Sequence, residues 1–217
     1  MRKETKKYFF TAPGETEKWY FEWLQRTINS TPVALYTVKF DCHIQKDPLK
    51  RAKNLVALEK TEITHIMDRE SEEEIHVQQF ETTLGRMKSA ERIGKSIKYY
   101  LGYSNFAFEL WIVLHKADCN GSLTHRRQYL HPLNRAYVEQ FENLDQYKHE
   151  GNFKRILGKL TLADVFQAVR RSKVIMQANQ ENGYTLYQHK GYRYYIENPS
   201  LSIWKIVEKI MVECGLL

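Results

Sequence analysis

Tyr8-Phe9-Phe10-Thr11-Ala12-Pro13-Gly14-Glu15-Thr16-Glu17 decides the fold class. A short aromatic, β-prone run stops at a Pro-Gly pair, which marks a strand running into a tight turn. An apolar stripe follows at once. Tyr20, Leu24 and Ile28 recur every four residues with Trp23 beside them, the spacing of a helix from about Thr16 to Asn29. The same order then repeats. Val33 to Phe40 alternates and is β-branched, which predicts a second strand. Pro48 opens a helix whose buried face is expected from Ala52, Leu55, Val56 and Leu58. Ile63 to Met67 predicts a third strand, and Ser71 to Glu74 leads into a helix through Leu84 and Met87. Ile97 to Tyr103 predicts a fourth strand, followed by the apolar stretch Phe106 to Leu114, which reads as a buried helix. Strands and helices alternating over residues 7–116 predict an α/β fold: a mostly parallel four-stranded sheet flanked by helices.

Three acidic segments fall where strands end. They are Glu15 with Glu17, Asp68 with Glu70, and Glu109 within the apolar stretch. Carboxylates gathered at the C-terminal edge of a parallel sheet suit a hard divalent cation. A simpler reading exists for each. Glu15 and Glu17 would offset a helix dipole. Glu109 would pair with an arginine or with backbone amides, because an unpaired carboxylate in a core is costly. In an extended segment Asp68 and Glu70 face one side and Arg69 the other. Ser104 or Asn105 is expected to cap the buried helix. Asn105, Glu109 and Lys116 then share one stripe, at spacings of four and seven.

Beyond Ala117 the pattern loosens. Helical periodicity covers Tyr129 to Phe141 and Arg155 to Val174. Near the end of the second run, Arg170, Arg171 and Lys173 form a small basic cluster, suited either to phosphate or to a helix C-terminus. Tyr184 to Ile196 is rich in tyrosine with His189, Lys190 and Arg193. It reads as a β-ribbon, or as a stacking surface for single strands. A last helix is expected after Asn198-Pro199-Ser200, carried by Leu201, Ile203, Trp204, Val207, Ile210 and Met211. Residues 1–116 are thus expected to form a catalytic core and residues 117–217 a helical extension, containing a hairpin, packed on it.

Lys and Arg number 33 against 26 Asp and Glu, a formal charge of +7 that favours a polyanionic partner. The three cysteines are far apart and form no C-x-x-C pair, so neither a zinc site nor a disulfide framework is supported. A reducing cytosol fits that usage. No stretch reaches the roughly 20 apolar residues of a membrane span, and the apolar run after the charged N-terminus is too short for a signal peptide. A cytoplasmic protein without membrane contact is therefore expected. No phosphate-binding G-x-x-x-x-G-K-[ST] loop and no G-x-S-x-G elbow occurs.

A strand ending in G-x-T-E, a later strand ending in D-x-D/E and a four-stranded α/β core together resemble the Toprim fold of primases, topoisomerases and OLD-family nucleases. More narrowly, four segments resemble the RloB-like family, bacterial proteins associated with restriction and phage-defence loci. They are Gly14-Glu15-Thr16-Glu17-Lys18-Trp19-Tyr20-Phe21, Met67-Asp68-Arg69-Glu70, Tyr103-Ser104-Asn105-Phe106-Ala107-Phe108-Glu109-Leu110-Trp111 and Asn198-Pro199-Ser200. The resemblance implies a nuclease that cleaves RNA or DNA with Mg²⁺ or Mn²⁺. It implies Glu17, Asp68 and Glu70 as catalytic metal ligands, with Glu15 as the substitute for a fourth carboxylate that the family pattern carries two residues earlier. Asn105, Glu109, His115 and Lys116 are in supporting positions, and Arg170, Arg171 and Lys173 stand as nucleic-acid contacts. Pro13 occupies the position where the Toprim pattern E-G-x-T-E has its first Glu, and proline can neither ligate nor carry a proton. That departure keeps an alternative open: a degenerate module that binds nucleic acid, or a partner protein from the same defence locus, without catalysis.

Overall fold

The computed structural model describes residues 3–57, 59–121 and 123–217. Four strands, β1 (Thr5–Ala12), β2 (Thr37–Ile44), β3 (Thr61–Arg69) and β4 (Ile97–Asn105), form one sheet in the order β2-β1-β3-β4. Every pairing is parallel. Helices α1 (Glu15–Asn29), α2 (Pro48–Asn54) and α3 (Glu74–Ala90) make the crossovers, and α4 (Glu109–Lys116) follows β4. The chain steps from β1 to β2 on one side and then returns to place β3 on the other. The carboxyl end between β1 and β3 is therefore a topological switch point, where the crossover helices diverge and leave a crevice.

Alternation along the strands divides the two faces. Tyr8, Phe10, Ala12 and Ile66 join the apolar cluster under α1 and α4. Ile63, Met67, Tyr99 and Tyr103 join the cluster under α2 and α3. The first cluster is dense in aromatics: Phe10 stacks on Phe21 at 4.1 Å, and Tyr20 meets Phe108 and Trp111 edge-on. Rings in such pairs add about 0.5–1.5 kcal/mol beyond the area they bury.

The rest of the chain is a 3₁₀ turn (Arg126–Tyr129), α5 (Leu130–Tyr137), α6 (Leu144–Lys148), α7 (Glu150–Gly158), α8 (Leu162–Glu181), an antiparallel hairpin of β5 (Leu186–His189) and β6 (Tyr192–Tyr195), and α9 (Ile203–Glu213). Residues of α5 to α9 enter the same apolar cluster as α1 and α4.

Several local expectations are corrected. The second strand begins at Thr37, not Val33. Val33 and Leu35 lie exposed in the connection, where the Leu35 N–H donates to Cys214 O at 2.9 Å and so fastens the end of α9. In α2, Asp47 caps the N–H groups of Leu49 and Lys50 and Pro48 takes the first turn. Ala52 and Leu55 are buried, but Val56 is exposed past the helix end, and Leu58 lies outside the described residues. The run from Arg155 to Val174 is two helices, because Thr161 and Asp164 form a reciprocal capping box that starts α8 afresh. The helix begun at Tyr129 stops at Tyr137, short of Phe141. The last helix starts at Ile203 rather than directly after Ser200.

Candidate functional site

Three carboxylates from separate strand ends lie toward the switch point, near enough to influence one another's charge. Glu17 is the third residue of α1, directly after β1. Asp68 is the penultimate residue of β3, and Glu109 opens α4 after β4. Because β3 lies between β1 and β4, the turn after β1 reaches Asp68 from one side and the turn after β4 from the other. Asp68 also alternates onto the face that carries α1 and α4, with Arg69 turned away toward Ile196 O, as the period of two requires.

Local structure fixes each group. Gly14 extends into α1, and a Cβ there would stand 3.1 Å from the Glu17 carboxylate, so the glycine leaves room for that side chain. Thr16 Oγ1 donates to Glu17 Oε2 at 3.0 Å. Glu17 is only 5% exposed. Ser104 and Asn105 do not cap α4. Both belong to β4, Phe108 takes the cap position, and the side-chain amide of Asn105 donates to the carbonyls of Tyr195, Ile196 and Glu197. The turn is made instead at Phe106, whose φ of 61° is left-handed and strained for a side chain of that size. Its N–H donates to Arg69 O at 2.8 Å, which ties the start of α4 to the end of β3. The expected stripe of Asn105, Glu109 and Lys116 is therefore broken.

Glu109 is 1% exposed. Its Oε1 lies 3.1 Å from Lys148 Nζ, at the end of α6. Its Oε2 is buried with no hydrogen-bond partner among the described residues, as is the hydroxyl of Tyr147. The partner is thus a lysine, not an arginine or backbone amides. Neither Lys148 nor Tyr147 was legible as a site residue. They sit in a five-residue helix whose sequence carries no motif and no periodicity long enough to place it.

The electrostatics follow from this crowding. Burial, then the neighbouring Glu109 charge, raises the pKa of Glu17 above the ordinary carboxylate range. Burial, followed by Glu17 and Glu109, raises Asp68 well above it. Burial opposes the charge on Lys148, but Glu109, Asp68 and Glu17 outweigh that and hold it above the usual lysine range. The Tyr147 hydroxyl is pushed up by burial and then by the Glu109 charge. One ammonium faces three carboxylates, and the deficit is met by protons or by a further cation.

The other candidate residues lie differently. Glu15 is half exposed and pairs with Lys18 at 3.6 Å. Glu70 falls just past the end of β3 and turns outward, 3.5 Å from Arg126 and 3.7 Å from His76. His115 is inside the core. Its Nδ1 is 2.8 Å from Trp111 O and its Nε2 is 3.1 Å from the Tyr20 hydroxyl, so the ring is neutral with its proton on Nδ1. Lys116 joins the α8 cap through Asp164 at 2.8 Å. Arg171 donates to the carbonyls of Leu114 and His115 at the end of α4 and pairs with Asp118. Lys173 pairs with Glu208, and Arg170 is exposed.

A pH profile tests this picture. Burial depresses His65 and His115 to about 4, so between there and 6.5 the unfolded chain binds more protons than the folded one. Their contribution is present above 6.5 and is lost on acidification, by roughly 3 kcal/mol each at most. Glu17 and Asp68 act in the opposite sense. Their raised pKa values favour the folded state below 4.5 and 3.8, the ordinary values of the two side chains, and the benefit is lost as the pH rises through the folded values. Urea midpoints measured across pH are expected to lose part of that second branch in Asp68→Asn. An unchanged profile in the variant would refute the crowding argument.

Charge deficit and an unbonded buried oxygen are what a hard cation would relieve, and oxygen-only donors match Mg²⁺ or Mn²⁺ in kind. As folded, among the described residues, no three Asp, Glu, His or Cys side chains are grouped closely enough to grip one ion. The donor chemistry fits, and the donors stand apart. No helix among the described residues is long and apolar enough to cross a membrane. Comparison with known proteins finds that residues 8–210 match the family described as RloB-like protein. No curated protein and no solved structure matches the chain.

Proposed function

The chain belongs to the RloB-like family, and from that premise we propose that it is a divalent-metal-dependent nuclease acting on RNA or DNA. One observation carries the proposal: three carboxylates at or just past strand ends, two of them with pKa values raised above the ordinary range, lie near enough to feel one another's charge and that of a single ammonium. Glu17, Asp68 and Glu109 would hold the cation, with Glu70 at the rim. A bound Mg²⁺ or Mn²⁺ supplies Lewis acidity toward a phosphoryl oxygen and lowers the pKa of its water. The protein's own part is to exclude bulk water around Glu17 and Glu109 and to orient the reacting phosphate. Lys148, whose side chain is 38% exposed beside Glu109, can balance charge on a phosphoryl oxygen. The unpartnered Tyr147 hydroxyl can donate a hydrogen bond inside the pocket.

A second reading, a module that binds nucleic acid without cutting it, is favoured by the spacing of the donors and by Pro13. Labelled RNA and DNA incubated with Mg²⁺, Mn²⁺ or EDTA distinguish the two. The nuclease reading expects cleavage that appears with metal and disappears with chelator. Binding without cleavage under every metal supports the second.

A further inference from the structure

The groove at the opposite end of the sheet has no place in the chemistry above. β1 pairs with β2 over eight positions from Thr5, but with β3 only over Phe9–Thr11. Below Phe9 the two central strands part, and an open groove of about 990 Å³ enters between them, roofed by α9 and by the hairpin. Thr64 is the groove's lining residue on β3 nearest the carboxylates, four residues or roughly 13 Å along the strand from Asp68.

The walls repeat one pattern on three elements, cation beside aromatic: Lys7 with Phe9, Lys98 with Tyr100, and Arg193 with Tyr192. Lys6, Lys60, Lys205 and Lys209 bring the cations to seven, against three carboxylates, Glu4, Glu62 and Glu213, a balance of +4. Glu213 binds Lys6, Glu62 binds Lys60 and Lys209, and Asp41 and Glu91, both outside the lining, bind Lys7 and Lys98, which leaves Arg193 and Lys205 as the groove's free cations among the described residues. Arg193 and Lys205 are exposed and have no carboxylate partner among the described residues. Tyr100 is 44% exposed, and its hydroxyl donates to Glu62 at 3.3 Å, which steadies a ring whose face is open. A solvated lysine surface needs no aromatic rings and no break in a central ladder. Phosphate recognition supplies a use for the cations, and unstacked bases a use for the rings.

We propose that this groove binds a short run of single-stranded nucleic acid, phosphates against Arg193 and Lys205 and bases against Tyr100. The cations come from β1, β4, β6 and α9, so they are spread over several walls, which suits a strand better than a free nucleotide. The inference is independent of whether the distant carboxylates cut, so it holds equally for a binding module.

The test is fluorescence anisotropy of a fluorescein-labelled single-stranded oligonucleotide with the full chain in EDTA. Arg193→Glu with Lys205→Glu is expected to weaken binding at least about tenfold and to flatten its salt dependence. Tyr100→Ala is expected to weaken it about tenfold with the salt slope unchanged, which a purely electrostatic surface would not show. Lys154→Ala, on α7 and outside the groove's lining, is expected to bind like wild type. Thermal unfolding checks that each variant folds. Wild-type affinity in the double variant overturns the proposal. So does equal affinity for duplex of the same length, or a free mononucleotide that competes as well as the strand.

Discussion

Replacing Asp68 with asparagine is expected to abolish metal-stimulated cleavage, lowering the rate by about a thousandfold, or roughly 4 kcal/mol of transition-state stabilisation. The side chain lies between Glu17 and Glu109 in sheet order, so its loss removes the central donor. The folded protein is expected to tolerate the change or to gain from it. Asp68 is held well above its ordinary range by burial and by two neighbouring carboxylates, and a neutral amide of the same shape relieves both. Activity and metal-free stability should therefore move in opposite directions. Glu15→Ala is the control, because Glu15 is half exposed beside Lys18; its effect is expected to stay below about threefold. Paired rate and urea-denaturation measurements check both. Loss of activity together with loss of stability would assign Asp68 to the scaffold instead.

Lys148→Met is expected to give the largest change in stability. The substitution keeps the apolar stem and deletes the charge facing Glu109, which then has neither partner nor water. Breaking one side of a buried pair costs about 3–5 kcal/mol, and the partial exposure of Lys148 brings the expectation to roughly 2 kcal/mol. Adding Glu109→Gln should return most of the loss, since both charges are then gone. Equilibrium unfolding in EDTA of the two single variants and the double variant measures this coupling. Additive losses would show that the ammonium and the carboxylate do not depend on each other.

The sheet was legible because its signals are local. Aromatic and β-branched runs end at Gly14, Asp68 and Asn105, and a period of two put Asp68 and Arg69 on opposite faces. Glu17 and Asp68 followed from the same logic, since each sits within a few residues of a strand end. What failed depended on tertiary context. Val33 and Leu35 look like a strand, yet the sheet begins at Thr37 and Leu35 fastens Cys214 instead. Asn105 looks like a helix cap, but its amide holds the segment from Tyr195 to Glu197, and a left-handed Phe106 delays the helix to Glu109. Glu70 belongs to the same acidic run as Asp68, but β3 ends before it and the chain turns it outward. Lys148 could not have been found from its neighbours in sequence, because only the packing of α6 brings it against residues about 40 and 80 positions away.

The central claim is that oxygens of Glu17, Asp68 and Glu109 come together around one divalent ion. Crystals soaked in Mn²⁺, with anomalous diffraction recorded at the manganese edge, test it directly. The account predicts a single strong peak in the crevice, about 2.0–2.3 Å from carboxylate oxygens of all three residues, and none in crystals of Asp68→Asn. Manganese density elsewhere in well-diffracting crystals, or none beside these three carboxylates at saturating metal, would contradict it.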